Sequence, residues 1–210
     1  MRRREFITLI GGAAAAWPVA ARTQQQSVPM VCILSAQSQM SEATLLAEWK
    51  KGLNDTGYVG GRNVLFEYRF ADGQADQLAM LAADLVRRQV AVLVANTTPP
   101  ALAAKAATST LPIVFSGGID PVKLGLVAGL NRPGGNITGV SQFSAALEGK
   151  RLELLHELVP NAAVIAMLVN PTFPGTESIT NDMQVAARTL GLELKVANAT
   201  SGCIAVAYCS

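Results

Sequence analysis

Short β-branched apolar runs alternate with longer amphipathic runs along this chain, and this alternation restricts its fold more than any other feature. The runs of strand length in the first two thirds are 30–35, 63–70, 90–95, 112–116 and 136–141. The runs of helical length between them are 41–56, 74–88, 100–108 and 121–130. Strands that are apolar almost throughout, each followed by a helix, are typical of a parallel sheet with both faces covered. The pattern therefore predicts an α/β fold whose parallel sheet is flanked by helices.

The same alternation starts again after this region and then stops early. Its helical runs are 145–159 and 177–190, and its strand runs are 163–171 and 192–198. A second lobe built like the first needs about as many elements again, and the chain supplies about half of them. We therefore predict a first α/β lobe over residues 28–141 and a partial second α/β lobe over residues 142–210. The uncharged last twelve residues leave two interpretations open, a final strand or a chain that ends early.

The first 21 residues have the character of an export signal. A positively charged head precedes an apolar run from Phe6 to about Ala21, which is shorter than the roughly 18 residues that span a bilayer. The pair Arg3-Arg4 is similar to the twin-arginine type of bacterial signal. We expect the export machinery to recognise residues 1–21 as a signal peptide, which is then cleaved to leave a periplasmic protein. An uncleaved anchor is the alternative, and the exact cleavage site stays open.

Charge argues against a nucleic-acid partner. The chain has 17 Lys and Arg against 15 Asp and Glu. The predicted signal holds three of the Arg and one of the Glu, so the remainder carries 14 charges of each sign. A neutral protein with interspersed charges lacks the basic surface that binds nucleic acid or anionic membrane.

The cysteines and the single histidine give little support for catalysis. Cys32, Cys203 and Cys209 allow at most one disulfide, and whether Cys203 and Cys209 form it stays open. His156 lies in a leucine-rich helical run, where a surface or satisfied histidine is the ordinary case. The sequence has no nucleophile elbow, no phosphate loop and no metal-ligand spacing. We therefore predict no enzyme activity, no metal and no cofactor.

Four separated blocks, in the same order, resemble a known family. They are "RREFITLIGGAAAAWPVAAR", "GLNDTGYVGGRNVLFEYRFADGQADQLAMLAADLV", "IVFSGGIDPVKLGLVAGLNRPGGNITGVS" and "GKRLELLHELVPNAAVIAMLVNP". Together they resemble the ABC-transporter substrate-binding proteins with the type I periplasmic-binding fold. The resemblance implies two lobes joined by crossover strands, a small organic solute in the cleft between them, and a permease in the inner membrane as partner. It also implies an amino acid or related compound as the solute. The family has a complete second lobe, which this sequence lacks.

Small hydroxyl and amide side chains follow the predicted strands, at the edge where open α/β sheets bind their ligands. The candidate ligand-binding residues are Ser35, Gln37, Thr97, Thr98, Ser116, Asp120, Ser141, Asn170 and Thr172. Backbone N–H groups and a hydroxyl at Thr97-Thr98 would hold a carboxylate, with a plain helix cap as the alternative. Asp120 would cap the helix that follows it, and the resemblance suggests that it also pairs with a ligand ammonium. Asn170 and Thr172 would close over the solute or form a simple turn.

The function predicted from these observations is solute capture for an ABC importer, by lobe closure and without chemistry. Two alternatives remain open. One is an exported α/β enzyme of flavodoxin-like build, and the other is a non-functional fragment of a binding protein.

Overall fold

The computed structural model describes residues 28–199. The predicted signal peptide and the pair Cys203 and Cys209 lie outside the described residues, so the predictions made for them stay predictions. Within the described part, the lone cysteine Cys32 is buried and free.

The first sheet has five parallel strands, as the sequence predicts. They are β1 (Met30–Ser35), β2 (Leu65–Phe70), β3 (Val92–Asn96), β4 (Ile113–Gly117) and β5 (Ile137–Ser141). Their spatial order is β2-β1-β3-β4-β5, and every pair is parallel. The helices between them are α1 (Gln39–Asp55), α2 (Leu78–Arg87) and α3 (Thr98–Ala107). A single 3-10 turn, Ala75–Gln77, leads into α2.

Successive residues of a strand point to opposite faces of the sheet, and here the two faces differ in how fully they are covered. On one face, Leu34, Leu93 and Ile113 pack with residues of α2 and α3 into the main core. On the other face, α1 lies beside Val94 and Val114 and leaves an apolar groove between helix and strands. Because α1 covers this second face only in part, Val114 and Val140 remain exposed.

A second, smaller sheet follows along the chain. Its strands, β6 (Val164–Val169) and β7 (Glu193–Asn198), pair in parallel, with α4 (Glu148–Leu158) before them and α5 (Thr176–Thr189) between them. These elements enclose their own core of Leu152, Ile165, Met183, Ala187 and Leu192. The structure thus contains a five-stranded α/β unit and a partial second one, while the boundary at residue 142 stays a prediction.

One predicted helix is wrong. Residues 121–130 form hydrogen-bonded turns, because Gly125 takes φ +66° and ends the helical path after one turn. Gly125 N donates to Val122 O at 2.9 Å and Leu126 N donates to Pro121 O at 2.8 Å, the bond pair of a glycine-terminated helix end. Lys105 of α3 donates to the carbonyls of Gly125 and Leu126, which completes this C-terminal cap.

Candidate ligand-binding cleft

A cleft of about 390 Å³ opens where the carboxyl ends of β1, β3 and β4 face the start of the second unit. Its volume lies in the usual range for small-molecule sites. Polar side chains supply much of its wall: Gln37, Asn96, Thr97, Thr98, Ser116, Gln142, Ser144 and Glu148. Apolar contacts come from both units, including Ile119 of the first and Phe173 and Ile179 of the second. The cleft therefore combines hydrogen-bonding groups with an apolar side, as an amphipathic solute requires.

Thr97 lies in this wall with a strained backbone. Its φ is +75° and its ψ is 170°, a region that β-branched residues rarely occupy. Its N–H donates to Ser116 O at 2.9 Å, and this bond between neighbouring strand ends holds the conformation. Strained residues of this kind concentrate at ligand sites because the surrounding structure must fix them.

Thr98 begins α3 and is almost fully buried, with 3% of its surface exposed. Pro99 and Pro100 occupy the next two positions and have no N–H group to offer. The N–H of Ala101 is used by Thr97 O at 3.4 Å. The sequence suggested several backbone donors at this helix start, whereas the structure leaves the N–H and hydroxyl of Thr98. Neither has a hydrogen-bond partner among residues 28–199.

The floor of the cleft is a close contact between the end of β4 and the segment after β5. Gln142 N donates to Gly117 O at 2.9 Å, and Ala145 N donates to Gly118 O at 3.1 Å. A Cβ on Gly118 would overlap Ser144 Oγ, so the glycine permits this approach. The two hydrogen bonds fix Gln142 and Ser144 in the wall.

The second unit contributes Phe173 through the loop after β6. Asn170 Oδ1 accepts from Thr172 N at 3.0 Å and from Thr172 Oγ1 at 2.8 Å. Asn170 O accepts from Phe173 N at 3.1 Å and from Thr176 Oγ1 at 2.7 Å. Asn170 and Thr172 thus shape the loop that brings Phe173 into the cleft wall.

A buried carboxylate of the groove beside α1 binds Asn96 of the cleft wall. Glu42 of α1 is only 5% exposed. Its two oxygens accept from Asn96 Nδ2 at 3.0 and 2.8 Å, and Oε1 also accepts from Ser35 Oγ at 3.1 Å. Because a buried carboxylate needs hydrogen bonds to offset the loss of water, this network fixes the end of β3.

The nine predicted site residues fall into two groups. Those in the cleft wall are Gln37, Thr97, Thr98 and Ser116. Those outside it are Ser35, Asp120, Ser141, Asn170 and Thr172. A ligand contact by any of the nine stays a prediction.

Internal hydrogen bonds occupy several of the residues outside the wall. Ser35 Oγ accepts from Gln37 N at 3.1 Å, in addition to its bond with Glu42. Ser141 Oγ donates to Ile119 O at 3.2 Å. Asp120 Oδ1 accepts from Val122 N at 2.8 Å and Lys123 N at 3.3 Å, so this carboxylate caps the single turn that follows it.

Sequence reasoning did not single out Phe173, Ser144 or Glu148. Glu148 brings a carboxylate into the wall and pairs with Arg151 one turn later. Their positions in the sequence gave only a weak indication of a site. Each of these residues follows a strand at some distance and reaches the cleft through the path of its loop.

Among the described residues, the cleft wall contains neither a metal-ligating cluster nor a cysteine. No group of three or more His, Cys, Asp and Glu side chains that could hold a metal occurs there. Burial raises the pKa of the Cys32 thiol to about 12, and this residue lies in the core. No helix among residues 28–199 is long and apolar enough to cross a membrane.

The chain is similar to other proteins of known sequence or structure. It is 34% identical over 152 residues to a tyrosine-binding protein of Clostridioides difficile, an alignment that covers 70% of this chain and 42% of the other. Among solved structures, a conserved domain protein of Vibrio cholerae matches with a TM-score of 0.75 and 31% identity. A protein from Streptococcus pneumoniae in complex with L-Trp matches with a TM-score of 0.72 and 25% identity.

Both structural matches cover 82% of this chain and 58% of the other chain, so the present chain spans less than two thirds of its relatives' length. The sequence model of the family described as ABC transporter substrate binding protein matches residues 27–203. This match covers most of the chain, and the chain therefore belongs to the ABC transporter substrate-binding protein family.

Proposed function

We propose that this protein captures an amino acid or a related small organic solute for an ABC importer. The cleft is the observation that carries the proposal, because both units contribute polar and apolar side chains to its wall. In this scheme the protein is exported to the periplasm, its signal peptide is cleaved, and it delivers the solute to a permease in the inner membrane. It works by binding and lobe closure, without catalysis.

The chemistry of the wall supports an amphipathic zwitterion as solute. The N–H and hydroxyl of Thr98 are donors suited to a carboxylate. Ile119, Phe173 and Ile179 offer apolar contact to a side chain. Relatives named for tyrosine binding and solved with L-Trp support the same class of solute.

A ligand ammonium has two candidate carboxylate partners. Asp120 is the partner predicted from the sequence, although its Oδ1 already caps a turn. Glu148 lies in the wall itself. The substitution Asp120→Asn keeps the capping oxygen and removes the charge, and Glu148→Gln removes the other charge. The partner is identified by the variant that weakens amino-acid binding about tenfold or more.

The test of the function is a thermal-shift screen of the purified chain against the twenty amino acids. A solute at a hundredfold excess over its Kd stabilises the folded state by about 2.7 kcal/mol. We expect one amino acid to raise Tm clearly, and Thr98→Val to reduce that shift while leaving the unliganded Tm almost unchanged.

Thr138→Val is the matched control, because Thr138 is an exposed β5 residue outside the cleft wall. A cooperative unfolding transition that no amino acid shifts would contradict the proposed function.

A further inference from the structure

The side-chain amide of Asn96 binds a buried carboxylate, and Asn96 lines both the cleft and the apolar groove beside α1. Asn96 is the last residue of β3 and belongs to the cleft wall. Its Nδ2 donates to both oxygens of Glu42. Its Oδ1 accepts no hydrogen bond from any residue of the described part of the chain, although a carbonyl oxygen has two lone pairs to offer.

Glu42 determines which way this amide points. A carboxylate accepts hydrogen bonds and donates none, so the reversed amide would place Oδ1 against two acceptor oxygens. The ordinary ambiguity between the two amide orientations is thereby removed. Ser35 Oγ, 3.1 Å from Glu42 Oε1, holds the carboxylate in place from the end of β1.

Reversing the amide of Asn96 would cost free energy, because Glu42 is buried and would lose hydrogen bonds. Glu42 is 5% exposed, and no Lys, Arg or His among residues 28–199 forms an ion pair with it. Its position in the first turn of α1 is the end of a helix that favours a carboxylate. Its hydrogen bonds to Asn96 and Ser35 are therefore its main compensation for burial.

We propose that Glu42 orients Asn96 so that Asn96 Oδ1 accepts a hydrogen bond from a donor group on the bound solute. Asn96 is then a specificity-determining residue, and Glu42 is a positioning residue that never touches the solute. This inference rests on the proposed function, and it restricts the solute to one that carries an ammonium or another donor near its carboxylate. The adjoining donors of Thr98 complete the recognition of a group with both signs of charge.

The test compares solutes that differ only in the donor. Calorimetric titration of the purified chain would use L-tyrosine against hydroxyphenylpropionate, L-tryptophan against indolepropionate, and L-leucine against isocaproate. Each second compound keeps the carboxylate and side chain and lacks the ammonium. For the pair that binds, we expect Glu42→Gln to weaken the affinity for the amino acid about 10-fold or more. The affinity for its des-amino partner should stay nearly unchanged.

Two further variants make the result specific. Asn96→Leu keeps the branching of the side chain, with a larger volume, and removes the acceptor. It should therefore reduce the preference for the amino acid over its des-amino partner even where Glu42→Gln lowers stability. Glu48→Gln changes an exposed glutamate of the same helix and should leave both affinities as in the wild type.

The two possible failures are distinguishable. The wild type has a ratio of affinities between an amino acid and its des-amino partner. If the wild type binds the amino acid and both the Glu42 and Asn96 variants keep that ratio, the inference is overturned and the proposed function stands. If the wild type binds none of the amino acids, the proposed function is overturned and the inference with it.

Discussion

Thr97 combines a β-branched side chain with a positive φ in the wall of the cleft. Such a conformation costs on the order of 1–3 kcal/mol, and glycine adopts it without a steric penalty. Thr97→Gly relieves this strain in the folded state but raises the conformational entropy of the unfolded chain, and the two effects oppose each other. We therefore expect Thr97→Gly to raise the free energy of unfolding by a net value of about 1 kcal/mol. Chemical denaturation of the unliganded protein measures this change.

The control for Thr97 is Thr97→Val, which removes the hydroxyl and keeps the strained backbone. It should give no gain in stability. If Thr97→Gly lowers the free energy of unfolding instead, the strain is not present in the folded chain.

Cys32 makes the free energy of unfolding depend on pH in alkaline solution. Burial raises the pKa of its thiol from an ordinary 9.0 to about 12, so the unfolded chain loses this proton first. The contribution to stability is fully present below pH 9 and is lost as pH rises toward 12, with a limiting slope of about 1.4 kcal/mol per pH unit.

Urea denaturation at several pH values above 8, under reducing conditions, tests this slope. Cys32→Ala removes the titrating group, and the comparison is made with Cys203 and Cys209 both replaced by serine. The stabilities of the two proteins should converge as pH rises. Parallel pH profiles would show that Cys32 does not titrate differently on unfolding.

Side chains that directly follow strands were predictable from the sequence. Gln37, Thr98 and Ser116 line the cleft because parallel strands bring their carboxyl ends to one edge. The contact between Glu42 and Asn96 joins residues 54 positions apart, and no local pattern marks it. Phe173 reaches the wall through hydrogen bonds within its own loop, which composition does not reveal.

Among the elements, the strands and helices were predicted best where the apolar residues follow a single spacing, either that of a strand or that of a helix. The bounds of β1 agree with the predicted run 30–35. Helix α3 begins at Thr98, two residues earlier than predicted, because prolines are accepted in the first turn of a helix. The helix predicted over 121–130 does not form, because Gly125 takes a positive φ that ends the helical turn, although the apolar spacing alone indicates a helix.

The pairing of β4 with β5 depends on Gly139. It lies opposite Phe115 in the register, and a Cβ there would overlap the Phe115 carbonyl oxygen and lie 2.5 Å from Phe115 Cδ1. Since backbone atoms cannot yield as a flexible side chain can, we expect Gly139→Ala to lower the free energy of unfolding by about 3 kcal/mol or more. Denaturant titration measures the loss.

Gly52→Ala is the opposite case. Gly52 lies within α1 and a Cβ there would meet nothing within 4 Å, so alanine should stabilise the protein by roughly 0.5–1 kcal/mol. If the two substitutions changed stability equally, close packing at Gly139 would not be the cause.

In the whole molecule, the two units touch at the cleft through Ile119 and Gly175. Gly175 precedes α5 with φ +87°, and a Cβ there would lie 2.8 Å from Ile119 Cδ1. The approach of the second unit to the first therefore depends on a missing side chain. Because Ile119 also lines the cleft, the same contact sets the spacing of the walls that would hold a solute.

Gly175→Ala should destabilise the protein in two separable ways. The positive φ alone costs about 1–2 kcal/mol for alanine, and Gly191→Ala measures this term because Gly191 has φ +70° and nothing within 4 Å of a Cβ. If Gly175→Ala lowers the free energy of unfolding by more than Gly191→Ala does, the difference comes from the contact with Ile119. Replacing Ile119 by valine removes Cδ1, so Gly175→Ala should cost less in the Ile119→Val background than in the wild type. An excess that does not change in that background would mean that the two units do not meet at this point in solution, and the width of the cleft would then be set elsewhere.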